Sequence, residues 1–369
     1  MSEQSVVATR GPVRVVGTGL LGTSVGLALR AGGVDVVLSD PSRTTVLLAR
    51  DVGAGRLPVE DEPEPALVVV AAPPDVTAEV VLAELAAHPG AVVTDVSSVK
   101  GAIAAAVAAG GGDLRRYVGS HPMAGSERSG PTAARPDLFT GRPWVVAAPP
   151  EAEPSAVLAV RTLAVDTGAT PVMMAAAEHD AAVALVSHVP QVAASLVASQ
   201  LRAAPPGSLD LAGQGLRDVT RIAASDPALW TSILAANAAA VAPVLRALRG
   251  DLDALIDALD AATGDPAADG ALGTLAGAIA AGNAGVGRVP GKHGGSHATY
   301  DVVTVLVPDR PGELGRLLVD MGDVGVNLEE LAIDHAPRQA VGLASISVLP
   351  GLGEHLESQL EARGWRVAG

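Results

Sequence analysis

Two short motifs in this chain combine residue types that are suited to chemistry. One is the loop Gly17-x-Gly19-x-x-Gly22, and the other is His121 in the run Gly-Ser-His-Pro-Met-Ala-Gly at residues 119–125. A glycine loop of this spacing lets the backbone approach the diphosphate of a dinucleotide. A neutral imidazole can accept a hydroxyl proton near neutral pH. Together they predict hydride transfer from a substrate to a dinucleotide.

The surroundings of the glycine loop are those of a dinucleotide-binding unit. A predicted strand, Val13–Val16, precedes it, and a predicted helix, Leu20–Ala31, begins inside it. The first two glycines permit a tight turn and close approach of the ligand, and the third permits packing of helix on strand. The amides at the helix start, including those of Leu20 and Leu21, face the phosphates. The alternative is a glycine turn in a protein that binds no nucleotide.

An acid at the end of the second predicted strand indicates which dinucleotide binds. A carboxylate at Asp40 would accept from both ribose hydroxyls and repel a 2′-phosphate. This predicts NAD as the cofactor. Because Arg43 follows Asp40 closely in the sequence, NADP is the alternative. Ala72 and Pro73, where another predicted strand ends, leave room for the nicotinamide. The expected cofactor contacts are Gly17, Gly19, Leu20, Leu21, Gly22, Asp40, Ala72, Pro73 and Ser97.

The run Thr-Asp-Val-Ser-Ser-Val-Lys-Gly at residues 94–101 places polar groups where a predicted strand gives way to a helix. Serine is a common N-cap. We therefore expect one of Ser97 and Ser98 to cap the helix and the other to contact cofactor or substrate. Lys100 either contacts the ligand or lies in solvent.

His121 follows a predicted strand, at the edge of an open α/β sheet where ligands bind. An imidazole with a pKa near ~6.5 can take a hydroxyl proton there while a hydride leaves the same carbon. We expect His121 to be the catalytic base. A purely structural histidine is the alternative.

Polar residues further along the chain predict a substrate-binding surface. Ser187, Gln191 and Ser195 are spaced by four on a predicted apolar helix, and His188 adjoins the first. The polar side chains of such a stripe either line a cleft or form hydrogen bonds within the protein.

Two arginines, Arg217 and Arg221, follow a pair of glycines in the helical region. Guanidinium groups bind carboxylates in bidentate fashion, so these residues predict a clamp for an anionic substrate. For Arg217, the alternative is a surface pair with Asp218.

The composition restricts the class of protein. The chain has 369 residues, 49% of them hydrophobic but only 2% aromatic, so two or three domains with cores of Ala, Val and Leu are expected. The chain has no cysteine, which excludes disulfides and thiolate metal sites. A formal net charge of −15 disfavours nucleic acid and anionic lipid as partners. Since we find neither a leader nor an uninterrupted span of about 18 apolar residues, we expect a cytoplasmic protein.

Residues 1–175 alternate Val-rich runs with Ala/Leu-rich helical segments, which predicts a doubly wound, Rossmann-type α/β domain. All of its strands are expected to be buried and parallel. They are Val13–Val16, Val34–Leu38, Leu67–Ala71, Ala91–Thr94, Tyr117–Gly119 and Trp144–Ala147.

Residues 176–262 lack strand signals and predict an all-α domain. One long helix is expected over Glu178–Ala203, and another starts with Ser225 as N-cap and Pro227 in its first turn. The helices from Ala228 to Leu259 have little polar surface. This favours burial in a homodimer, and a monomeric bundle is the alternative.

Residues 263–298 are rich in Gly, Ala and Pro and predict a linker with one short helix. No metal site is expected there, although His293 and His297 are close in sequence. Residues 299–369 return to strands in the order βαββαβ, which predicts a ferredoxin-like module.

Several recognisable motifs occur in order along the chain. They lie around Asp95 and Ser98, His121 and Glu127, Phe139 and Trp144, Ser187 and Pro190, and Gly215 to Arg221. Over roughly Val13 to Leu259 these motifs resemble the prephenate dehydrogenase family. The C-terminal Val-Pro-Asp-Arg-Pro-Gly run at residues 307–312 and Gly-Val-Asn-Leu at 325–328 look like an ACT regulatory domain.

The resemblance implies NAD-dependent oxidative decarboxylation of prephenate to 4-hydroxyphenylpyruvate, on the route to tyrosine. His121 matches the family's catalytic histidine, which hydrogen-bonds the ring hydroxyl of the substrate. Ser98 matches a serine that lies close to that hydroxyl and to the nicotinamide. Arg221 matches the arginine that binds substrate carboxylate, and Glu127 and Asp218 match acids that gate it.

In the C-terminal module, the turn that contains Asp309 and Gly312, facing Asn327, is expected to hold tyrosine as a feedback effector. An ACT fold that serves only as an assembly interface is the alternative.

Three other functions are alternatives, and the sequence argues against two of them. Gln191 stands where many prephenate-specific relatives have a second histidine, so arogenate is an alternative substrate. A β-hydroxyacid dehydrogenase would need a catalytic lysine in the helical domain, and Glu178–Ala203 has none. An amino-acid sensor with an inactive dehydrogenase body would not need His121, Ser98 and Arg221 together.

Overall fold

The computed structural model describes residues 7–125, 128–265, 268–290, 300–335 and 341–368. The chain forms two compact units. The first comprises Met1–Ser195 and Ala223–Arg246, and the second comprises Leu196–Ile222 and Ala247–Gly369.

The first unit begins with a parallel four-stranded sheet in the order β2-β1-β3-β4. The side chains of β3 alternate between two cores, with Leu67 and Val69 in one and Val68 and Val70 in the other. Helices therefore cover both faces, as predicted for a doubly wound fold. The elements are β1 (Val13–Val16), α1 (Leu20–Ala31), β2 (Val36–Ser39), α2 (Arg43–Asp51), β3 (Leu67–Val70), α3 (Pro74–Ala87), β4 (Val92–Asp95) and α4 (Gly101–Ala109).

A second sheet of three strands follows, and it corrects the prediction that all strands are parallel. Strand β5 (Gly119–Pro122) pairs antiparallel with β6 (Pro143–Ala147), and β6 pairs parallel with β7 (Thr170–Met173). Among the described residues between β5 and β6 the only helical element is a 3-10 turn, Pro131–Ala133, whereas α5 (Pro154–Asp166) crosses over between β6 and β7. A parallel pair needs such a crossover helix. Strand β7 was not predicted.

The predicted long helix is interrupted by a π turn. It consists of α6 (Ala176–Val183), the π turn Ala184–His188, and α7 (Val189–Gln200) with a 3-10 turn after it. The span Ala176–Ala203 is long and apolar enough to cross a membrane by length and composition. On this helix Leu185 and Val186 are exposed.

Helix α9 (Pro227–Ala236) belongs to the same unit, and its start corrects a predicted cap. The N-cap is Asp226, whose carboxylate accepts from the amide of Ala228 at 2.8 Å. Ser225 instead donates its hydroxyl to Gln191 Oε1 at 3.3 Å.

The second unit contains α8 (Gln214–Ala223), most of α10 (Ala238–Gly264) and α11 (Ala271–Val286). The predicted linker thus holds a helix of 16 residues, and His293 and His297 lie outside the described residues. Within the described ranges, no group of three or more His, Cys, Asp or Glu side chains could hold a metal ion.

The C-terminal part has the predicted βαββαβ order and an antiparallel sheet in the order β11-β8-β10-β9. Alternate residues of β8 and β10, such as Val303 and Ile346, pack in one core with Leu317 and Leu356 of the two helices. The elements are β8 (Asp301–Pro308), α12 (Glu313–Val324), β9 (Glu330–His335), β10 (Val341–Val348), α13 (Gly353–Ala362) and β11 (Arg366–Ala368).

Candidate active site

The glycine loop lies directly against the end of β3. Gly17 has a φ of +93°, and a Cβ there would lie 2.4 Å from the carbonyl oxygen of Ala71. A Cβ on Gly22 would lie 1.9 Å from the carbonyl oxygen of Gly17. A Cβ on Gly19 would meet nothing within 4 Å. The first and third glycines are therefore required by the protein itself, and the second leaves open space of the kind a diphosphate needs.

Asp40 is fixed against this loop. Its Oδ2 accepts from the amide of Thr18 at 2.7 Å and from the Thr18 hydroxyl at 3.0 Å, and its Oδ1 accepts from the amide of Ser42 at 2.8 Å. A carboxylate offers about four lone-pair sites. Three of these sites are used within the protein, so about one remains, on Oδ1, for a ribose hydroxyl at the end of β2.

The two serines after β4 do not cap α4. The amides of Lys100 and Gly101 at the helix start donate to Asp180 Oδ1 and Oδ2, at 2.9 and 2.8 Å. The capping role predicted for Ser97 or Ser98 is therefore wrong, because the carboxylate of Asp180 on α6 accepts the hydrogen bonds of the first amides of α4. The hydroxyl of Ser97 is buried without a hydrogen-bond partner. Such an orphaned group fits contact with a bound cofactor.

His121, on β5, is the first member of a hydrogen-bonded chain of three side chains. Its Nδ1 lies 2.9 Å from Nε2 of His179, and Nδ1 of His179 lies 2.8 Å from Oδ1 of Asp180. The two rings meet edge to face, with centroids 5.1 Å apart. The antiparallel pairing of β5 with β6, opposite Val145, holds the strand that carries His121.

The surroundings favour a neutral His121. Burial lowers its pKa well below the ordinary value, and His179, Lys100 and His188 lower it further. Burial alone would raise the pKa of Asp180, but hydrogen bonds from His179 and from the amides of Lys100 and Gly101 bring it below its ordinary value. The chain therefore joins a neutral base to an ionised carboxylate.

Lys100, whose amide donates to Asp180, has a buried side chain, so the alternative that it lies in solvent is wrong. Its side chain is 1% exposed, and its Nζ donates to Asp95 Oδ1. Burial lowers the pKa of Lys100, and the charge of Asp95 opposes that shift. Tyr117 donates its hydroxyl to Asp95 Oδ2 at 2.8 Å. This buried cluster joins the end of β4 to the segment before β5.

His188 lies in the π turn and is 1% exposed. The side-chain nitrogen of Asn237 lies 3.0 Å from its Nδ1 and donates to the carbonyl oxygen of Asp180 at 2.9 Å. The ring meets that of Trp230 edge to face, with centroids 6.0 Å apart. Burial lowers the pKa of His188, against the charge of Asp180.

The predicted polar stripe is partly satisfied within the protein. Gln191 is buried, its Nε2 donates to Ser195 at 3.4 Å, and its Oε1 accepts from Ser225 at 3.3 Å. Ser187 is partly buried and Ser195 is exposed. Gln191 therefore uses part of its hydrogen-bonding capacity on Ser195 and Ser225, whereas Ser187 lies in the π turn.

The predicted carboxylate clamp lies on α8, in the second unit. Arg217, Asp218 and Arg221 are exposed there. Asp218 accepts from Gln214 Nε2 at 3.0 Å, and Arg217 donates to the carbonyl oxygen of Ala212 at 3.4 Å. Glu127 lies outside the described residues.

The predicted effector residues lie around the start of α12. Gly312, its N-cap, has a φ of +91°, and Asp309, Gly312 and Asn327 are exposed.

The sequence interpretation missed the residues behind His121. His179, Asp180 and Asn237 were not singled out, and neither was the role of Asp95 with Tyr117. An adjacent His-Asp pair at 179–180 inside an apolar helix was the signal that could have found His179 and Asp180.

Comparisons with known proteins identify the family of this chain. A family model described as "Prephenate dehydrogenase, nucleotide-binding domain" matches residues 25–173, and one described as "Prephenate dehydrogenase, dimerization domain" matches residues 175–269. The probable prephenate dehydrogenase NovF of Streptomyces niveus is 39% identical over 95% of this chain and 98% of its own length.

Two solved structures are similar as well. Prephenate dehydrogenase from A. aeolicus, in complex with hydroxyphenyl propionate and NAD+, has a TM-score of 0.63 at 26% identity, over 74% of this chain and 97% of that one. Synechocystis arogenate dehydrogenase has a TM-score of 0.57 at 25% identity, over 73% of this chain and 99% of that one. With the match to NovF along nearly its whole length, this chain belongs to the prephenate dehydrogenase family.

Proposed function

We propose that this chain catalyses the NAD-dependent oxidative decarboxylation of prephenate to 4-hydroxyphenylpyruvate. Family membership supports the reaction. The observation that carries the assignment of roles is the position of His121, a neutral imidazole held at Nδ1 by His179, in the same compact unit as the glycine loop.

The residues present fit a dinucleotide. The glycine loop, Asp40 and the orphaned hydroxyl of Ser97 would hold it, with Ala72 and Pro73 beside the nicotinamide. When bound, NAD supplies the acceptor for the hydride that leaves the carbinol carbon of prephenate.

In this proposal His121 accepts a proton from the substrate and later returns it. Its Nε2 accepts the proton of the ring hydroxyl as the carbon–hydrogen bond breaks. The ring carboxylate leaves as CO2 and its bond pair completes the aromatic ring. The proton then returns from His121 to the same oxygen, so that the product is a phenol and no net proton is released by this step. Ser98, which is assigned through the family motif, would hydrogen-bond the same hydroxyl.

The remaining substrate contacts are assigned through the family motifs. Arg221, assisted by Arg217, would bind a substrate carboxylate, and Glu127 and Asp218 would control access to it. Ser187, His188 and Gln191 would line the substrate side of the helical region, where Gln191 leaves arogenate as a second candidate because an amide can donate or accept.

The regulatory and assembly assignments complete the proposal. The βαββαβ module at residues 299–369 would be an ACT domain that binds tyrosine at Asp309, Gly312 and Asn327. Residues 1–175 would bind NAD, residues 176–262 would form the homodimer, and residues 263–298 would link these parts to the module. The apolar exposed residues Leu185 and Val186 support the dimer. We place the enzyme in the cytoplasm, without a nucleic-acid or membrane partner.

The test is a matrix of prephenate or arogenate with NAD or NADP, in which NADH or NADPH and CO2 are measured together. Equal amounts of NADH and CO2 from prephenate support the proposal. Turnover of arogenate alone would make the chain an arogenate dehydrogenase, and no CO2 from either substrate would overturn both functions.

A further inference from the structure

We propose that Asp180 and His179 are positioning residues that fix the tautomer of His121, so that Nε2 of His121 is the nitrogen without a proton. This inference rests on the proposed role of His121 as the base. The tautomer matters because a neutral imidazole carries one proton, and only the bare nitrogen can accept another.

The argument begins at Asp180, whose carboxylate is an obligatory acceptor. Its two oxygens receive the amides of Lys100 and Gly101 at 2.9 and 2.8 Å. A Cβ on Gly101 would lie 2.8 Å from Oδ2, so a glycine is needed for the carboxylate to sit this close. These contacts hold Asp180 ionised and in place. Nδ1 of His179, 2.8 Å from Oδ1, must therefore be the donor.

The second step applies to His179 with a single proton. With that proton on Nδ1, its Nε2 is bare and can only accept. Nδ1 of His121 lies 2.9 Å from that atom and must donate to it. The proton of His121 is thus on Nδ1, and its Nε2 is left as the acceptor. Which ring nitrogen carries the proton is set in general by the hydrogen bond of the other.

The same chain stabilises the positive charge that His121 acquires in the reaction. The titratable groups that face His121 are His179 and Asp180 from α6, His188 from the π turn, and Lys100 before α4. Of these, only Asp180 is anionic. Its charge reaches His121 through the ring of His179, whereas the charge of Lys100 is paired with that of Asp95.

The test compares two variants at position 179 in the full-length enzyme. His179→Phe keeps a ring but removes the acceptor for Nδ1 of His121. His179→Gln keeps a carbonyl oxygen that can accept from it. We expect His179→Phe to lower kcat on the order of 10- to 100-fold, with KM for NAD and prephenate changed by less than about 3-fold. His179→Gln should recover most of that loss.

A spectroscopic readout separates this role from a structural one. Nitrogen-15 NMR of histidine-labelled enzyme should show His121 with its proton on Nδ1 in the wild type and in His179→Gln, but not in His179→Phe. Should His179→Phe fail to fold, the wild-type spectrum and the kcat of His179→Gln still decide the matter. A wild-type proton on Nε2, or a folded His179→Phe with normal kcat, would overturn the inference.

The outcome is distinguishable from failure of the proposed base. His121→Asn is measured alongside. If that variant keeps full activity, His121 is not the base and the proposed mechanism fails. If it loses activity while both variants at position 179 keep theirs, only the tautomer inference fails.

Discussion

The side-chain nitrogen of Asn237 lies 3.0 Å from Nδ1 of His188. The same nitrogen donates to the carbonyl oxygen of Asp180, which can only accept, and this fixes the orientation of the amide. Nδ1 of His188 is therefore an acceptor, and a neutral His188 carries its proton on Nε2. This makes the buried ring a hydrogen-bond donor on the side away from Asn237.

Replacement of Asn237 tests this contact. Asn237→Leu leaves a buried carbonyl and a buried ring nitrogen unsatisfied, which should lower the free energy of unfolding by about 1–3 kcal/mol. It should also raise KM for prephenate, because His188 is free to change its tautomer. Urea titration and steady-state kinetics measure the two effects. Asn283→Leu, at an exposed site on α11, is the matched control. Equal behaviour of the two variants would contradict the prediction.

The glycine loop offers a pair of variants with opposite expectations. Gly19→Ala places its methyl group in open space, so the free energy of unfolding should change by less than about 0.5 kcal/mol. KM for NAD should nevertheless rise on the order of 10-fold, because the methyl group occupies the path of the diphosphate. Gly22→Ala collides with the carbonyl of Gly17 and should lower stability by about 1–3 kcal/mol. Normal NAD affinity in Gly19→Ala would place the cofactor elsewhere.

Arg221→Ala should weaken substrate binding rather than the chemical step. Loss of a hydrogen bond to a charged group corresponds to roughly a 10- to 100-fold increase in KM for prephenate, with kcat little changed. Arg202→Ala, an exposed arginine in the turn Leu201–Ala203, is the control for loss of a surface charge. If both variants keep the wild-type KM, another residue binds the carboxylate.

Acid should destabilise the folded chain through His121 and His188. Burial lowers the pKa of both rings, and His179 contributes for His121. As pH falls through about 6.5, the unfolded chain binds protons at these rings before the folded chain does. The free energy of unfolding therefore decreases as pH falls in that range. Urea titrations at about pH 7.5 and about pH 5.5 should show a smaller decrease in His121→Asn than in the wild type. An identical decrease in both would exclude His121 as a source.

Much of the first sheet was predictable because its strands are short segments rich in valine and leucine between turn residues. Val13–Val16 matches its prediction residue for residue, and Leu67–Val70 lies within the predicted run. Strand β7 was missed because its sequence, Thr-Pro-Val-Met, contains a proline and its residues are half-buried or exposed. The antiparallel direction of β5 was missed because strand composition does not encode direction.

The site was predictable only for residues within recognisable motifs. His121 and the glycine loop were identified in this way. His179 is 58 residues from His121, and their contact depends on how α6 lies beside β5. Lys100 was given two exposed roles because burial of a lysine is costly unless it is paired. Its partner Asp95 was in the same motif, but the loop geometry that joins them is not visible in the sequence.

The most direct test of the mechanism is kcat of His121→Asn with prephenate and NAD. Asparagine cannot take up the hydroxyl proton, so kcat should fall on the order of 10²- to 10⁴-fold, with NAD affinity retained. Turnover at the wild-type rate in a variant that still binds NAD would contradict the assignment of His121 as the base.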